Sequence, residues 1–411
     1  MSTVPEMLRT FGKIGCLSFG GPAAQIALMH KELVEGRKWL SEKEFLSGLS
    51  FCMLLPGPEA MQLATYAGWR MRGWWGGLLA GLLFVLPGAA LILVLGAVYI
   101  SYGDVPLVQT LFLGVKAAVL AIVIEALIKV SKRAFKARLH WALALASFIA
   151  IFVFALPFPI VIAVAALIGY FTTPMSAQIP TPRVPLMQTG KTVLIWLVIW
   201  WGPIFALNWI FDQDFLFELA LFFSKLATVT FGGAYAVLAY MGQDVVQALG
   251  WTTAAEMIDG LGLAETTPGP LILVTEFVGL LAGYNQGGAW LAFSAALVTL
   301  WATFIPCFLW IFAGAPYIDW ISAQPRLSGA LAAITAAVVG VIANLSIWFA
   351  LNVIFATVER SKFGWVPDLA TLDWHALVLS VIAALLLLRF HFALLNVLAI
   401  SALLALGITM L

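Results

Sequence analysis

Charge is what this chain has least of. Only 10% of its 411 residues are Asp, Glu, Lys or Arg, against 63% hydrophobic. A soluble domain carries roughly 25% charged and about 45–50% apolar residues. In water such a chain would expose apolar patches beyond what monomers tolerate, and a disordered chain needs the opposite composition. Mean hydropathy is +1.03, and the remaining solvent is lipid. Cysteine is scarce as well. Cys16, Cys52 and Cys307 are odd in number and sit in apolar stretches, so they read as buried small hydrophobes and exclude a disulfide framework. His30, His140, His375 and His391 have no ligand spacing, so neither a metal site nor a cofactor is expected. No Walker A, HExxH or G-x-S-x-G motif occurs, which argues against ATP hydrolysis, proteolysis and enzymatic activity generally. No basic face interleaved with aromatics suggests nucleic acid as a partner. Glu6, Arg9 and Lys13 interrupt the first apolar run, so a cleavable signal is not expected.

What is present is a series of apolar runs near the roughly 20 residues a spanning helix needs. Runs at 7–30 and 45–69 are broken by Phe19-Gly20-Gly21-Pro22 and by Pro56-Gly57-Pro58. Spans at 74–100 and 106–130 follow, then 139–171, which Pro157 and Pro159 divide into two short helices. A proline-rich linker, 172–191, leads to a lone span at 192–211. The pattern then returns. Runs at 216–241 and 256–283 are broken by Phe231-Gly232-Gly233 and Pro268-Gly269-Pro270, with spans at 287–314, 327–357 and 374–411, the last again two helices.

At an offset of 212 residues both motifs meet their copies, as do Phe11 and Phe223, Lys13 and Lys225, Trp39 and Trp251, and Glu44 and Glu256. Later the offset becomes 219, pairing Pro87 with Pro306 and Ala117-Ala118-Val119 with Ala336-Ala337-Val338. The chain is an internal duplication: an N-terminal repeat over 1–171, a linker with one extra span over 172–215, and a C-terminal repeat over 216–411.

Lys and Arg concentrate on cytoplasmic loops. Lys31, Arg37, Lys38, Lys43, Arg70, Arg72 and the basic stretch 129–138 mark the first repeat, while the matching second-repeat loop 242–256 has no Lys or Arg. Opposite orientations explain this, and the extra span supplies the flip. The acidic run Asp212, Asp214 and Glu218 then falls outside. The expected fold class is an all-α polytopic membrane protein of two inverted-topology repeats with broken, re-entrant helices. Segments 7–30 and 45–69 are expected to enter and leave from the cytoplasm.

Non-helical backbone at membrane depth is tolerated where it is buried in protein or lines a cavity, and paired broken helices in inverted repeats point to a substrate site. Glycine permits close backbone approach, and half-helix N-termini attract anions. Candidate substrate contacts are therefore Phe19, Gly20, Gly21, Pro56, Gly57, Pro58, Phe231, Gly232, Gly233, Pro268, Gly269 and Pro270. Lys13 and Lys225, each separated from a glycine pair by six residues, would supply charge, or else snorkel to the interface. Thr266 and Thr267 add hydroxyls. Glu59, Glu265, Glu276, Arg70 and Lys116 are candidates for ion coupling, each reading equally as an ion-pair partner, with Glu265 ranked first among the carboxylates for its threonine neighbours. Gly77/Gly81 and Gly283/Gly287 fit helix packing.

The stretches FGGPAAQIALMHKELVE, FCMLLPGPEAMQLATYAGWRMRGWWGGLLAGLLFVLPG, TFGGAYAVL and MIDGLGLAETTPGPLILVTEFVG resemble the chromate ion transporter (CHR) family in its long, two-domain form, over nearly the whole chain. Met53 departs from the polar residue expected before LLPGP. The resemblance implies export of chromate across the cell inner membrane and chromate resistance, with sulfate as the structural analogue, the lipid bilayer as surroundings and a homodimer as an allowed assembly. Moving one charge is worth about 2.3 kcal/mol per 100 mV, so a departing dianion gains about 4.6 kcal/mol, a concentration ratio of order 10³. Efflux therefore needs no ATP and fits a potential- or proton-coupled mechanism. A sulfate or other oxyanion importer or exchanger, or an anion channel, remains the alternative.

Overall fold

The computed structural model describes residues 3–174, 186–210, 213–361 and 363–409. Most of the linker expected over 172–191, and Asp212 of the acidic run, lie outside the described residues. The first half builds α1 (Val4–Leu17), α2 (Gly21–His30), α3 (Glu42–Cys52), α4 (Glu59–Tyr102), α5 (Pro106–Ala134), α6 (Arg138–Phe152) and α7 (Phe158–Thr172). The helix α8 (Leu186–Trp209) stands alone. The second half builds α9 (Asp214–Val229), α10 (Ala234–Met241), α11 (Ala254–Thr266), α12 (Val274–Gly314), the short α13 (Ile318–Ser322), α14 (Pro325–Ile354), α15 (Trp374–Ala384) and α16 (Leu394–Thr409). Among the described residues five helical stretches are long and apolar enough to cross a bilayer. The chain is an all-α, multi-pass membrane protein. One element has no counterpart in the apolar pattern, an antiparallel hairpin of β1 (Val358–Ser361) and β2 (Gly364–Pro367).

The duplication persists in local detail. Ser41 caps α3 by accepting from the Glu44 amide while the Glu44 carboxylate accepts from the Ser41 amide, and Thr253 and Glu256 make the same box before α11. Each box satisfies amides that a helix start leaves unpaired. A π-helical turn follows α2 at Lys31–Gly36 and another follows α10 at Gly242–Ala248. Beyond them Trp39 donates to the Leu33 carbonyl and Trp251 to that of Val245.

The two longest helices double back. Gly73 and Gly288 take φ of +59° and +76° inside α4 and α12, which side-chain-bearing residues rarely adopt. A Cβ on Gly81 would lie 2.4 Å from Thr65 Oγ1, and one on Gly279 only 2.2 Å from Thr299 Oγ1. In an unbroken helix Thr65 and Gly81 would stand about 24 Å apart. The arms 59–71 and 74–102, and likewise 274–286 and 289–314, therefore run antiparallel in close contact. Gly77 and Gly81 are packing positions, set against the Phe312 and Phe308 rings.

The chain forms two compact units, and both draw on both halves. Unit 1 takes 3–94, the described part of 173–234, and 267–328; unit 2 takes 95–172, 235–266 and 329–409. In unit 2, α6 and α7 double back around Pro157, so that Leu143 and Ile168 both pack on Ala333 and Ala336 of α14. The equivalent pair from the other half does the converse: Leu379 of α15 and Ala405 of α16 pack on Ala117 of α5. Since Ala117 and Ala336 are repeat partners, each half's terminal hairpin covers the other half's long helix. Gly340 allows the approach, because a Cβ there would sit 2.0 Å from the Ala144 carbonyl oxygen. Cys52 and Cys307 are buried as expected, but Cys16 is exposed. It sits on the side of α1 opposite the buried Met7, Phe11 and Ile14.

Candidate functional site

All four glycine-containing breaks belong to unit 1. The chain doubles back at the first two. Lys13 donates to Glu32 Oε1 at 2.6 Å, and 19 residues of continuous helix would span about 28 Å, too far for two side chains to bridge. At the second break Arg70 pairs with Glu44, and Gly48 lies where a Cβ would meet the Tyr66 ring at 2.3 Å. Thus α3 and the arm 59–71 run side by side from a common mouth to the Pro56-Gly57-Pro58 turn.

The breaks are joined crosswise between the halves. The Gly57 amide donates to the Thr230 carbonyl at 3.1 Å, and the Gly269 amide donates to the Ser18 carbonyl at 2.9 Å. Gly57 and Gly269 are repeat partners, as are Ser18 and Thr230, so these are one bond made twice. The hydroxyls repeat too: Ser18 Oγ donates to the Ile14 carbonyl and Thr230 Oγ1 to the Leu226 carbonyl. Packing follows the same exchange. A Cβ on Gly57 would lie 3.0 Å from Cys307 Sγ, and one on Gly88 would lie 2.1 Å from the Pro268 carbonyl oxygen; Gly88 and Cys307 follow the paired Pro87 and Pro306.

Backbone geometry explains the residue types. Gly20, Gly21, Gly232 and Gly233 have φ of +83°, +79°, +89° and +91°, and Gly57 and Gly269 +105° and +97°. Only glycine takes these values without strain. The tips Gly20 and Gly232 are exposed, Phe19 and Phe231 are half-buried, and Pro268, Gly269 and Pro270 are buried. The Gly57 and Gly269 amides are engaged in the crossed bonds, so the PGP backbones act as clamps.

Two glutamines that the repeat pattern did not single out belong to this arrangement. Gln25 Nε2 donates to the carbonyls of Gly269 at 2.6 Å and Ser18 at 3.2 Å. Gln62 Nε2 donates to the Pro56 carbonyl at 2.7 Å. Both side chains are buried, and both Oε1 atoms have no hydrogen-bond partner. Unpaired buried acceptors of this kind are costly and offer a ligand or a water a place to donate. Valine occupies the equivalent positions 237 and 274, so no repeated signal marked them.

The charged candidates separate. Lys13 is held by Glu32, whose other oxygen takes Arg37; the Lys13 hydrogen bond is the largest cause holding the Glu32 carboxyl below its ordinary range. Lys225 is exposed on α9. Arg70 serves the α3 mouth through Glu44. Glu59 begins α4, where the helix dipole favours it, and a Cβ on Gly233 would lie 3.9 Å from its Oε2. Thr267 is buried in unit 1. Glu276 is also in unit 1, 1% exposed, with Oε2 unpartnered.

Lys116, Glu265 and Thr266 fall in unit 2. Glu265 accepts from the Tyr235 hydroxyl at 2.7 Å, and Thr266 donates to the Leu263 carbonyl. Lys116 lies 3.3 Å from Asp259 Oδ2, which also accepts from the Tyr99 hydroxyl at 2.8 Å. Sequence reasoning missed Asp259, whose signal was a carboxylate inside an apolar run.

Comparison with known proteins matches the chain in two regions, one in each half. The sequence model of the chromate transporter family matches residues 5–170 and 217–408, leaving out the stretch that holds α8. A probable chromate transport protein of Synechococcus elongatus is 31% identical over 343 residues, 83% of either chain. The chromate transport protein of Pseudomonas aeruginosa is 31% identical over 357 residues, 84% of this chain and 80% of that one. That of Cupriavidus metallidurans is 28% identical over 346 residues, 83% and 81% of the two chains. No solved structure matches.

Proposed function

Because the chain belongs to the chromate transporter family, we propose that it exports chromate from the cytoplasm through the inner membrane and confers chromate resistance. The proposed mechanism is secondary transport. A dianion leaving an inside-negative cell gains about 4.6 kcal/mol per 100 mV, so the potential alone supports a concentration ratio of order 10³. Sulfate, with the same tetrahedral shape and charge, is the proposed competitor.

The observation that carries the reading is the reciprocal pair of crossed bonds, Gly57 to Thr230 and Gly269 to Ser18. A bond made twice between repeat-equivalent residues is what a two-fold relation between inverted copies requires. Non-helical backbone inside an apolar protein otherwise has no reason to be duplicated. In this proposal the exposed Gly20 and Gly232 tips and the helix starts behind them take the oxyanion, and the PGP turns hold the two copies together. The odd span α8 inverts the second repeat.

The test is radiolabelled chromate flux into inside-out vesicles carrying the protein, under imposed potentials and with sulfate as competitor. Saturable accumulation driven by a lumen-positive potential supports export. Current without saturation identifies a channel instead, and movement only in the opposite sense, abolished by a protonophore, identifies an importer.

A further inference from the structure

The arm 274–286 leaves the Pro268-Gly269-Pro270 break and carries Glu276 into the interior of unit 1. Its side chain is 1% exposed and its Oε2 has no hydrogen-bond partner. Two hydroxyls in the returning arm share that condition: Thr299 Oγ1 and Thr303 Oγ1 are buried without a partner. Thr299 stands opposite Gly279, where a Cβ would lie 2.2 Å from its Oγ1. Glu276 is three residues back on the face of Gly279, and Thr303 is four residues onward on the face of Thr299. In antiparallel arms those two steps run in the same direction, which brings Thr303 to the level of Glu276.

Among the described residues no cation forms an ion pair with this carboxyl. Of the elements packed against α12, α8 brings Lys191, α9 brings Asp214, Glu218 and Lys225, α4 brings Glu59, Arg70 and Arg72, and the returning arm brings Cys307. An ionised carboxylate taken out of bulk solvent without a partner is far costlier than a neutral one. A neutral carboxylic acid is a donor, and the threonine hydroxyls can accept its proton.

We infer that Glu276, with Thr299 and Thr303 beside it, carries a proton that travels together with the oxyanion. The inference rests on the transport reading and fixes its coupling. A dianion at the breaks repels an ionised Glu276 and favours a protonated one, so proton and anion bind with positive coupling, and linkage makes the effect reciprocal. Ionising Glu276 should weaken anion binding roughly tenfold or more. The proton enters with the anion on the cytoplasmic side and leaves with it outside, so the moving complex carries one net negative charge. The potential then supports a ratio of about fiftyfold per 100 mV, against order 10³ for a bare dianion.

The experiment uses inside-out vesicles with a lumenal pH dye, the full-length protein, chromate, and imposed potentials. The wild type should acidify the lumen on chromate addition and accumulate chromate about fiftyfold per 100 mV. Glu276→Gln, whatever its rate, should lose the acidification and take the steeper dianion dependence, while Glu276→Asp retains acidification. Acidification by Glu276→Gln equal to wild type, as hydrogen chromate moving alone would give, overturns the inference; so does the dianion slope in wild type. A second arm needs no transport: the infrared spectrum of wild type across a pH titration should contain a buried carboxylic acid carbonyl band missing from Glu276→Gln. Identical spectra overturn the proton site. If wild type moves no chromate, the export reading fails, and the infrared arm still decides Glu276.

Discussion

Replacing Gln25 by leucine tests the crossed architecture at one atom. The side chain is buried, and its Nε2 donates to Gly269 and Ser18 carbonyls. The two acceptors differ in what remains after the loss. The Ser18 oxygen keeps the Gly269 amide at 2.9 Å, whereas the Gly269 oxygen loses the Gln25 bond. Two hydrogen bonds at about 1 kcal/mol each, plus a buried carbonyl left unsatisfied at about 1–3 kcal/mol, set the gross cost. Removing Gln25 Oε1, itself buried and unpaired, returns part of that desolvation term. The net expectation is a loss of about 1–3 kcal/mol, concentrated at the break. In detergent, Gln25→Leu should lower the unfolding midpoint and speed hydrogen exchange at the Gly269 amide far more than at α16. Chromate flux in vesicles should fall at least tenfold, because the clamp between the halves is loosened. Wild-type stability, exchange and flux in this variant would mean that Gln25 does not hold the two breaks together.

Other outcomes follow from the same geometry. Gly269→Ala forces an alanine to φ near +97° and brings Cβ to 3.2 Å from Leu273 Cδ1, so about 1–3 kcal/mol of backbone strain should appear as lost stability and flux, with Gly57→Ala behaving alike. In unit 2, Lys116→Met strips the 3% exposed Asp259 of its cation and should cost about 3 kcal/mol. Adding Asp259→Leu should recover part of it, and a double-mutant cycle reads the coupling as at least about 1 kcal/mol. At the α3 mouth, the Ser41 amide first and Arg70 second pull the Glu44 carboxyl down to about 2 from an ordinary value near 4.5. A depressed carboxyl contributes stability above its unfolded value that is lost as pH falls through the folded one. Hydrogen-exchange protection of the first turn of α3 should therefore decline between about pH 4.5 and 2. The effect should be about 1 kcal/mol or less, since 37% of the carboxyl side chain is exposed, and Arg70→Met should narrow that pH window.

Much of this was legible in the sequence, and the reasons it stopped being so are physical. Glycine pairs and Pro-Gly-Pro mark helix breaks by their own stereochemistry, and duplication made them stand out. What each break meets was not legible, because Gly57 bonds a carbonyl in the other half of the chain, and backbone partners leave no residue signature. Lys13 shows a different limit. Its distance from Gly20 along a helix pointed to an anion, but the fold-back at the break sets it against Glu32, which no local spacing rule anticipates. Glu265 ranked above Glu276 because of its threonine neighbours in sequence. The structure gives Glu265 a tyrosine partner and leaves Glu276 buried with Oε2 unpaired. The breaks inside α4 and α12, at Gly73 and Gly288, fall where the apolar pattern already divides 45–69 from 74–100 and 256–283 from 287–314.

In the proposed site the oxyanion rests at the glycine breaks of unit 1. Chromium supplies its own label, so anomalous diffraction at the chromium edge, from crystals of the protein with chromate, locates it directly. The expected result is a chromium peak in unit 1 beside Gly20 or Gly232. A chromium peak at Lys116 and Asp259 in unit 2, with none at the breaks, would contradict it.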